Sequence, residues 1–268
     1  MLRVAVPGAA GKMGRTILRV LAETEGVELA AAIERPEHPD LGKDAGVVAG
    51  LPPNGVPITH AVDAALDQAD VVIDFTTPAS TAWLSGQAAL REVALVIGTT
   101  GLDEGERRAV ARAAERVPVV MSPNMSVGVN VLLGLVEMAA QALGEGFDVE
   151  IVEAHHRLKR DSPSGTALKL AEVIATALGR KLPEVVNYGR QGEVGARTAQ
   201  EIGVLAVRGG DVVGDHTAYF LGLGERIEIT HRASSRETFA RGAVRAALWL
   251  GDRDPGLYDM RDVLGLRR

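Results

Sequence analysis

Apolar residues in this chain come in short, mostly apolar runs separated by stretches of helical period. Residues 2–7 (LRVAVP) form the first run, which ends in Gly8-Ala9-Ala10-Gly11; Met13, Ile17, Leu18 and Leu21 then recur at helical spacing. A second run, residues 27–34 (VELAAAIE), ends in an acid. Residues 35–59, rich in Pro, Gly and Asp, predict an extended loop. Further runs at 70–75 (DVVIDF), 93–97 (VALVI) and 118–121 (PVVM) alternate with helical patterns that begin near Ala79 and span 103–116. Strands written as continuous apolar runs and alternating with helices belong to a parallel sheet covered on both faces. Residues 1–125 are therefore expected to form a doubly wound α/β domain.

The rhythm changes after Asn124. A long apolar helix is predicted over 126–143, a strand over 147–154 and a helix over 164–178, with Ser164 as its cap. Three β-like runs follow between residues 202 and 230 (IGVLAVR, HTAYFLG and RIEIT) with no helical period between them. Strands in succession predict a mixed or antiparallel sheet, hence a second α+β domain over 126–235. The helical pattern at 239–250 must bury its apolar face somewhere, so residues 236–268 are expected to return to the first domain.

Composition narrows the chemistry. With 268 residues, 46% of them hydrophobic, the chain can bury a substantial core, and the absence of Cys removes thiolate chemistry, disulfides and thiolate metal sites. A formal charge of −6 argues against nucleic acid or an anionic membrane as a partner. No basic segment followed by an apolar one opens the chain and no run of ~18 apolar residues is seen, so a cytoplasmic protein is expected.

Two constellations carry function. Gly8, Gly11 and Gly14 fall between a strand and a helix, where glycines let the backbone approach a pyrophosphate at a helix N-terminus. The spacing is a variant of the dinucleotide fingerprint, with Ala10 at the second glycine position. Glu34, 20 residues past Gly14, is placed to meet adenosine ribose hydroxyls, whereas Arg35 beside it suits a 2′-phosphate. Use of both NADH and NADPH is the expectation. The loops Gly98-Thr99-Thr100-Gly101 and Ser122-Pro123-Asn124-Met125 end later strands, where open α/β sheets bind ligands.

The second constellation is the run 153–166, in which five of the six residues from His155 to Arg160 can carry positive charge. A cationic cluster in an acidic chain points to a small anion. The amides of Gly165 and Thr166 at a helix start suit a carboxylate, and a Lys or His supplies a proton nearby. Adjacent histidines commonly diverge and no H-E-x-x-H spacing exists, so no metal is expected. His216 and His231, in the strand-rich part, read as structural.

These motifs resemble the 4-hydroxy-tetrahydrodipicolinate reductase family, formerly called dihydrodipicolinate reductase. The resemblance rests on GAAGKMG (8–14), DFTTP (74–78), GTTG (98–101), SPNMSVGVN (122–130), EAHHRLKRDSPSGTAL (153–168) and ITHRASSR (229–236). It implies a Rossmann-like dinucleotide domain and a substrate domain, and NAD(P)H-dependent reduction of a small dicarboxylate in lysine and diaminopimelate synthesis. It further implies that Gly8, Ala9, Ala10, Gly11, Lys12, Met13 and Glu34 hold NAD(H), with Arg35 on the NADP(H) phosphate. Gly98, Thr99, Thr100, Ser122, Pro123, Asn124 and Met125 would take the nicotinamide half. His155 and Lys159 are implied to be catalytic, and His156, Gly165 and Thr166 to contact substrate carboxylates. A homotetramer joined through the substrate-domain sheets is the implied assembly. A dehydrogenase of another small dicarboxylate or amino acid, and a non-catalytic NAD(H)-binding redox sensor, are the alternatives.

Overall fold

The first apolar run is strand β1 (Leu2–Pro7), and the helical period behind it is α1 (Lys12–Ala22). Then come β2 (Val27–Ile33), α2 (Ala45–Ala49), β3 (Ile58–Thr59), α3 (Val62–Leu66), β4 (Val71–Asp74), α4 (Pro78–Leu90), β5 (Ala94–Ile97), α5 (Glu104–Ala114) and β6 (Pro118–Met121). The structure is a computed structural model and describes residues 1–266. The expected loop over 35–59 in fact contains α2 and β3, and α3 follows it. Their five, two and five residues are too short to show a period, and tertiary contacts form them. Asp44 caps α2 by accepting from the Val47 N–H and also holds the Asn54 and Gly55 amides, which pins the excursion down.

Past this sheet the chain forms α6 (Val127–Leu143), β7 (Asp148–His155), α7 (Gly165–Ala177), α8 (Leu182–Val185), β8 (Val186–Asn187), β9 (Ile202–Arg208), β10 (Gly214–Leu221) and β11 (Arg226–Ala233). It closes with α9 (Glu237–Leu250), β12 (Gly256–Tyr258) and α10 (Met260–Val263). Two units result, one from Met1–Val127 with the chain from Glu237 onward, the other from Gly128–Arg236.

In the first unit seven parallel strands run in the order β12-β6-β5-β4-β1-β2-β3. The order reverses beside β1, which opens a crevice at the carboxyl ends of β1 and β4. One face of the sheet packs against α1 and α9 through Ile17, Leu21, Val244 and Leu250, the other through Leu66, Leu84 and Val110. Helix α9 therefore buries its face on this sheet, as a lone terminal helix must. The edge strand β12 has three residues, too few to be legible beforehand.

The second unit has a five-stranded mixed sheet in the order β11-β10-β7-β9-β8. Its β7–β9 pair is parallel, and β10 is antiparallel to both of its neighbours. Val149, Ile151, Ala218 and Phe220 on one face pack against α6 and α7 through Leu132, Val136, Leu170 and Ile174. The segment Val127–Gly146 is interrupted by Asn130, Glu137, Gln141 and Glu145, so it holds no unbroken apolar run of ~18 residues. With a mean hydropathy of 1.5 it is long and apolar enough to cross a membrane by length and composition. Its apolarity has a local reason on one side only: Leu132, Val136 and Ala140 fill the core, while Val131, Leu135 and Met138 are exposed.

Candidate active site

The first site is made largely of backbone. Gly8 turns with φ +65°, and its carbonyl accepts from the Gly11 N–H at 2.9 Å. Helix α1 then starts at Gly11 with no side-chain cap, so its first amides stay available to an anion. Gly14 lets the helix press onto the turn: a Cβ there would lie 2.1 Å from the Gly8 oxygen. Glu34, at the end of β2, reaches back so that Oε1 accepts from the Ala10 N–H at 3.1 Å and Oε2 from the Arg35 N–H at 3.2 Å.

These residues border a cleft of about 690 Å³ that gathers Gly8, Gly11, Lys12, Met13, Glu34 and Arg35. Its other wall is one the sequence reading did not assign to the site: Phe75, Thr76 and Thr77 from the DFTTP motif, with His60 and the half-exposed Trp83. Asp74 shapes that wall. It is 1% exposed and accepts from the Thr76 N–H, the Thr76 hydroxyl and the Thr81 hydroxyl at 2.8, 2.6 and 2.6 Å. Burial pushes the Asp74 carboxyl upward, against the pull of those hydrogen bonds. A strand ending in Asp followed by hydroxyl residues was the available signal.

The remaining expected cofactor residues lie elsewhere in the unit. Ala9 is fully buried and Ala10 nearly so. Gly98, Thr99 and Thr100 follow β5, and Ser122, Pro123, Asn124 and Met125 follow β6, the strand beside it. The Ser122 hydroxyl donates to the Asn124 carbonyl at 2.9 Å, and Asn124 Oδ1 accepts from the Ser126 N–H at 2.9 Å, so this loop is internally braced. The Met125 side chain is only 1% exposed, and its carbonyl meets α9 where Gly242 leaves room.

The second site is made of side chains. His155 ends β7, and its Nδ1 lies 2.6 Å from Oε2 of Glu153, which is fully buried. The same carboxylate takes both terminal nitrogens of Arg208, from β9, at 2.7 Å each, and the Ser164 N–H at 3.0 Å. Burial would raise the Glu153 carboxyl, but the hydrogen bonds from Arg208, His155 and Ser164 outweigh it and hold the group below the usual range. Ser164 caps α7 as expected, accepting from the Ala167 N–H at 3.2 Å, so the Gly165 and Thr166 amides open the helix.

His216, read from the sequence as structural, stands against His155 with ring centroids 5.1 Å apart at 76°, and its Nε2 lies 3.0 Å from the Ser164 hydroxyl. Burial, reinforced by the neighbouring His155, pushes the His216 imidazole down to about 4, which keeps it neutral near pH 7. Gly214 leaves the other edge of His155 clear, since a Cβ there would lie 3.0 Å from Nε2. Lys159 follows on the same connection, its Nζ 2.9 Å from Asp161, whose carbonyl accepts from Arg208 at 2.7 Å. His156 diverges from His155: its Nε2 lies 3.1 Å from an Arg236 nitrogen, and both line a hollow of about 370 Å³. Glu153 and Arg236 were read only as members of motifs, without a role, and Arg208 was not singled out at all, because nothing local marks a residue whose partners arrive from other strands.

Comparison with known proteins now bears on this pair of sites. The family described as "Dihydrodipicolinate reductase, N-terminus" matches residues 2–125, and "Dihydrodipicolinate reductase, C-terminus" matches residues 128–264. A protein named 4-hydroxy-tetrahydrodipicolinate reductase from Citrifermentans bemidjiense is 54% identical over the whole of both chains. Another of that name from an Anaeromyxobacter species is 56% identical, covering 100% of this chain and 99% of its own. The solved structure titled "Dipicolinate bound Dihydrodipicolinate reductase" from Paenisporosarcina sp. TG-14 is 26% identical, with a TM-score of 0.78 over 97% of each chain. GenD2 of gentamicin A biosynthesis, at 17% identity and a TM-score of 0.60, shares the fold. A nucleotide-type glycine turn, a cationic helix start and end-to-end identity above one half place one conclusion beyond dispute: the chain belongs to the dihydrodipicolinate reductase family.

Proposed function

We propose that the protein reduces 4-hydroxy-tetrahydrodipicolinate to tetrahydrodipicolinate with NADH or NADPH, releasing the 4-hydroxyl as water, in the synthesis of diaminopimelate and lysine. The observation that carries this reading is the array around the Glu153–Arg208 pair: the carboxylate holds an imidazole and the capped start of α7, and the guanidinium holds the Lys159 connection at the Asp161 carbonyl. The first unit, through residue 125 and again from 236, serves as the dinucleotide domain; residues 126–235 serve the substrate.

The cleft fits a dinucleotide on two grounds: α1 presents uncapped amides, and the Gly14 cradle is one that a single Cβ would fill. Gly8, Ala9, Ala10, Gly11, Lys12, Met13 and Glu34 would hold it, with Arg35 taking a 2′-phosphate. Gly98, Thr99, Thr100 and Ser122 to Met125 would border the nicotinamide half. When bound, reduced nicotinamide supplies a hydride.

The amides of Gly165 and Thr166 and the side chain of His156 hold the substrate carboxylates. Dipicolinate, named in the Paenisporosarcina structure, carries two such groups, which supports a dicarboxylate here. Lys159 and His155 hold protons where the reduced ring gains electron density, and cationic groups lower the cost of that charge before it develops. The balance is one hydride and one proton in, one water out.

A homotetramer through the open face of the mixed sheet completes the reading. On the face away from α6 and α7 lie Val152, Leu205 and Tyr219, with Val207 52% exposed. Sedimentation should return the mass of four chains; a monomer would remove this part. The deciding test of the reaction is an assay with freshly generated 4-hydroxy-tetrahydrodipicolinate and each reduced nicotinamide. Substrate-dependent oxidation of both is expected, and oxidation of neither would defeat the assignment.

A further inference from the structure

We propose that Arg208 and Glu153 are positioning residues that fix the tautomer of His155 and, through the same ion pair, the place of the α7 start and the Lys159 connection. The proposal rests on the reaction assigned above for its kinetic consequences, but not for its central claim about the imidazole.

The argument begins with donor counting. Four donors converge on Glu153: His155 Nδ1 and one Arg208 nitrogen on Oε2, the Ser164 N–H and the other Arg208 nitrogen on Oε1. The carboxylate is fully buried and paired in the two-pronged manner that Arg alone supplies, so it stays ionised and only accepts. A contact of 2.6 Å to a group that only accepts requires the proton on Nδ1 of His155. The lone pair, or the exchangeable proton of the imidazolium, is then confined to Nε2. That nitrogen faces the space left by Gly214.

Other groups around His155 do not compete for its orientation. His216, from β10, meets it ring to ring and is kept neutral by burial. Lys159, on the following connection, is engaged by Asp161. Arg208 from β9 locks the acceptor that the imidazole uses, and it also donates to the Asp161 carbonyl. One ion pair thus aligns an acid–base group, a helix start suited to a carboxylate and the connection bearing the second cation. A purely structural ion pair would stabilise the sheet without dictating which imidazole nitrogen is bare.

The test is ¹⁵N NMR of the full protein across an alkaline pH range, with kinetics on the same samples. In the native protein His155 should be almost wholly the Nδ1–H tautomer. In Glu153→Gln the side chain both donates and accepts, so the tautomers should mix. There kcat should fall roughly 10- to 100-fold, while NADH affinity, measured by fluorescence, stays within about twofold. Arg208→Lys keeps the charge but offers no fork; it should retain the native tautomer and recover most of kcat, whereas Arg208→Met should not. If Glu153→Gln does not fold, Arg208→Lys and Arg208→Met decide the matter by the same readouts. A native tautomer in a folded Glu153→Gln or Arg208→Met protein would overturn the proposal, whatever happened to kcat. A native protein that showed Nδ1–H yet left the substrate unreduced would instead count against the reaction and leave the positioning claim standing.

Discussion

The two sites are built from opposite materials. The glycine turn of the first unit presents peptide groups, and its specificity comes from how closely two stretches of backbone approach at Gly8 and Gly14. The array of the second unit presents side chains around one buried carboxylate: His155 from β7 and Arg208 from β9 reach Glu153 directly, the Ser164 N–H joins them, and His216 from β10 reaches the Ser164 hydroxyl. A backbone site fails when something is added; a side-chain site fails when something is removed. The difference teaches where each is vulnerable: Cβ atoms threaten the first, lost charges the second.

The largest effect should come from the second site. Lys159→Ala is expected to lower kcat by roughly 10²–10⁴ with NADH affinity near that of the native protein; steady-state rates and a fluorescence titration check both halves. Loss of NADH binding in step with kcat would erase the contrast between the sites. The converse variant adds one methyl group to the first site. In Gly14→Ala the new Cβ meets the Gly8 carbonyl, and NADH affinity should drop about 100-fold, with ~1–3 kcal/mol lost from stability. Unchanged affinity would mean the turn does not carry the cofactor.

His216 sharpens the contrast through pH. Burial lowers its imidazole from an ordinary 6.5 to about 4, so below about pH 6.5 the unfolded chain binds a proton that the native protein refuses until about pH 4. Native stability is therefore lost as acid is added through that window and is unaffected above it. Denaturant titrations of the native protein should show roughly 2 kcal/mol less stability at about pH 5 than at about pH 7 from this group. His216→Gln should flatten that dependence; an identical slope in both proteins would contradict the burial argument. The smallest effect belongs to Arg35→Ala, expected to weaken NADPH about tenfold, the scale of one charge-assisted contact, while leaving NADH untouched. Equal losses for both coenzymes would assign Arg35 to the shared part of the nucleotide.

The parallel sheet was legible because β1, β2, β4, β5 and β6 are mostly apolar runs, and the cap at Ser164 because Ser-Gly-Thr opens an apolar period. Strands β3, β8 and β12 and helices α2 and α3 were not, having only two to five residues each. In the candidate sites, the glycines, Glu34 and the His-His-Lys run were visible because each is a local pattern. Phe75, just past β4, and Trp83, within α4, were missed since an aromatic in either place looks like core until the crevice forms around it. Met125, named for the cofactor, sits under α9.

Taken alone, the order of residues determined the two-domain α/β and α+β plan, the glycine turn and the cationic run, since short-range period and spacing encode them. Only the tertiary structure decided that Glu153 is the shared acceptor, that Arg208 locks it, and that His155 and His216 stand edge to face. Arg208 lies 55 residues from Glu153, and His216 lies 52 from Ser164. Hydrogen-bond partners at such separations are chosen by strand order and register, which no local pattern records.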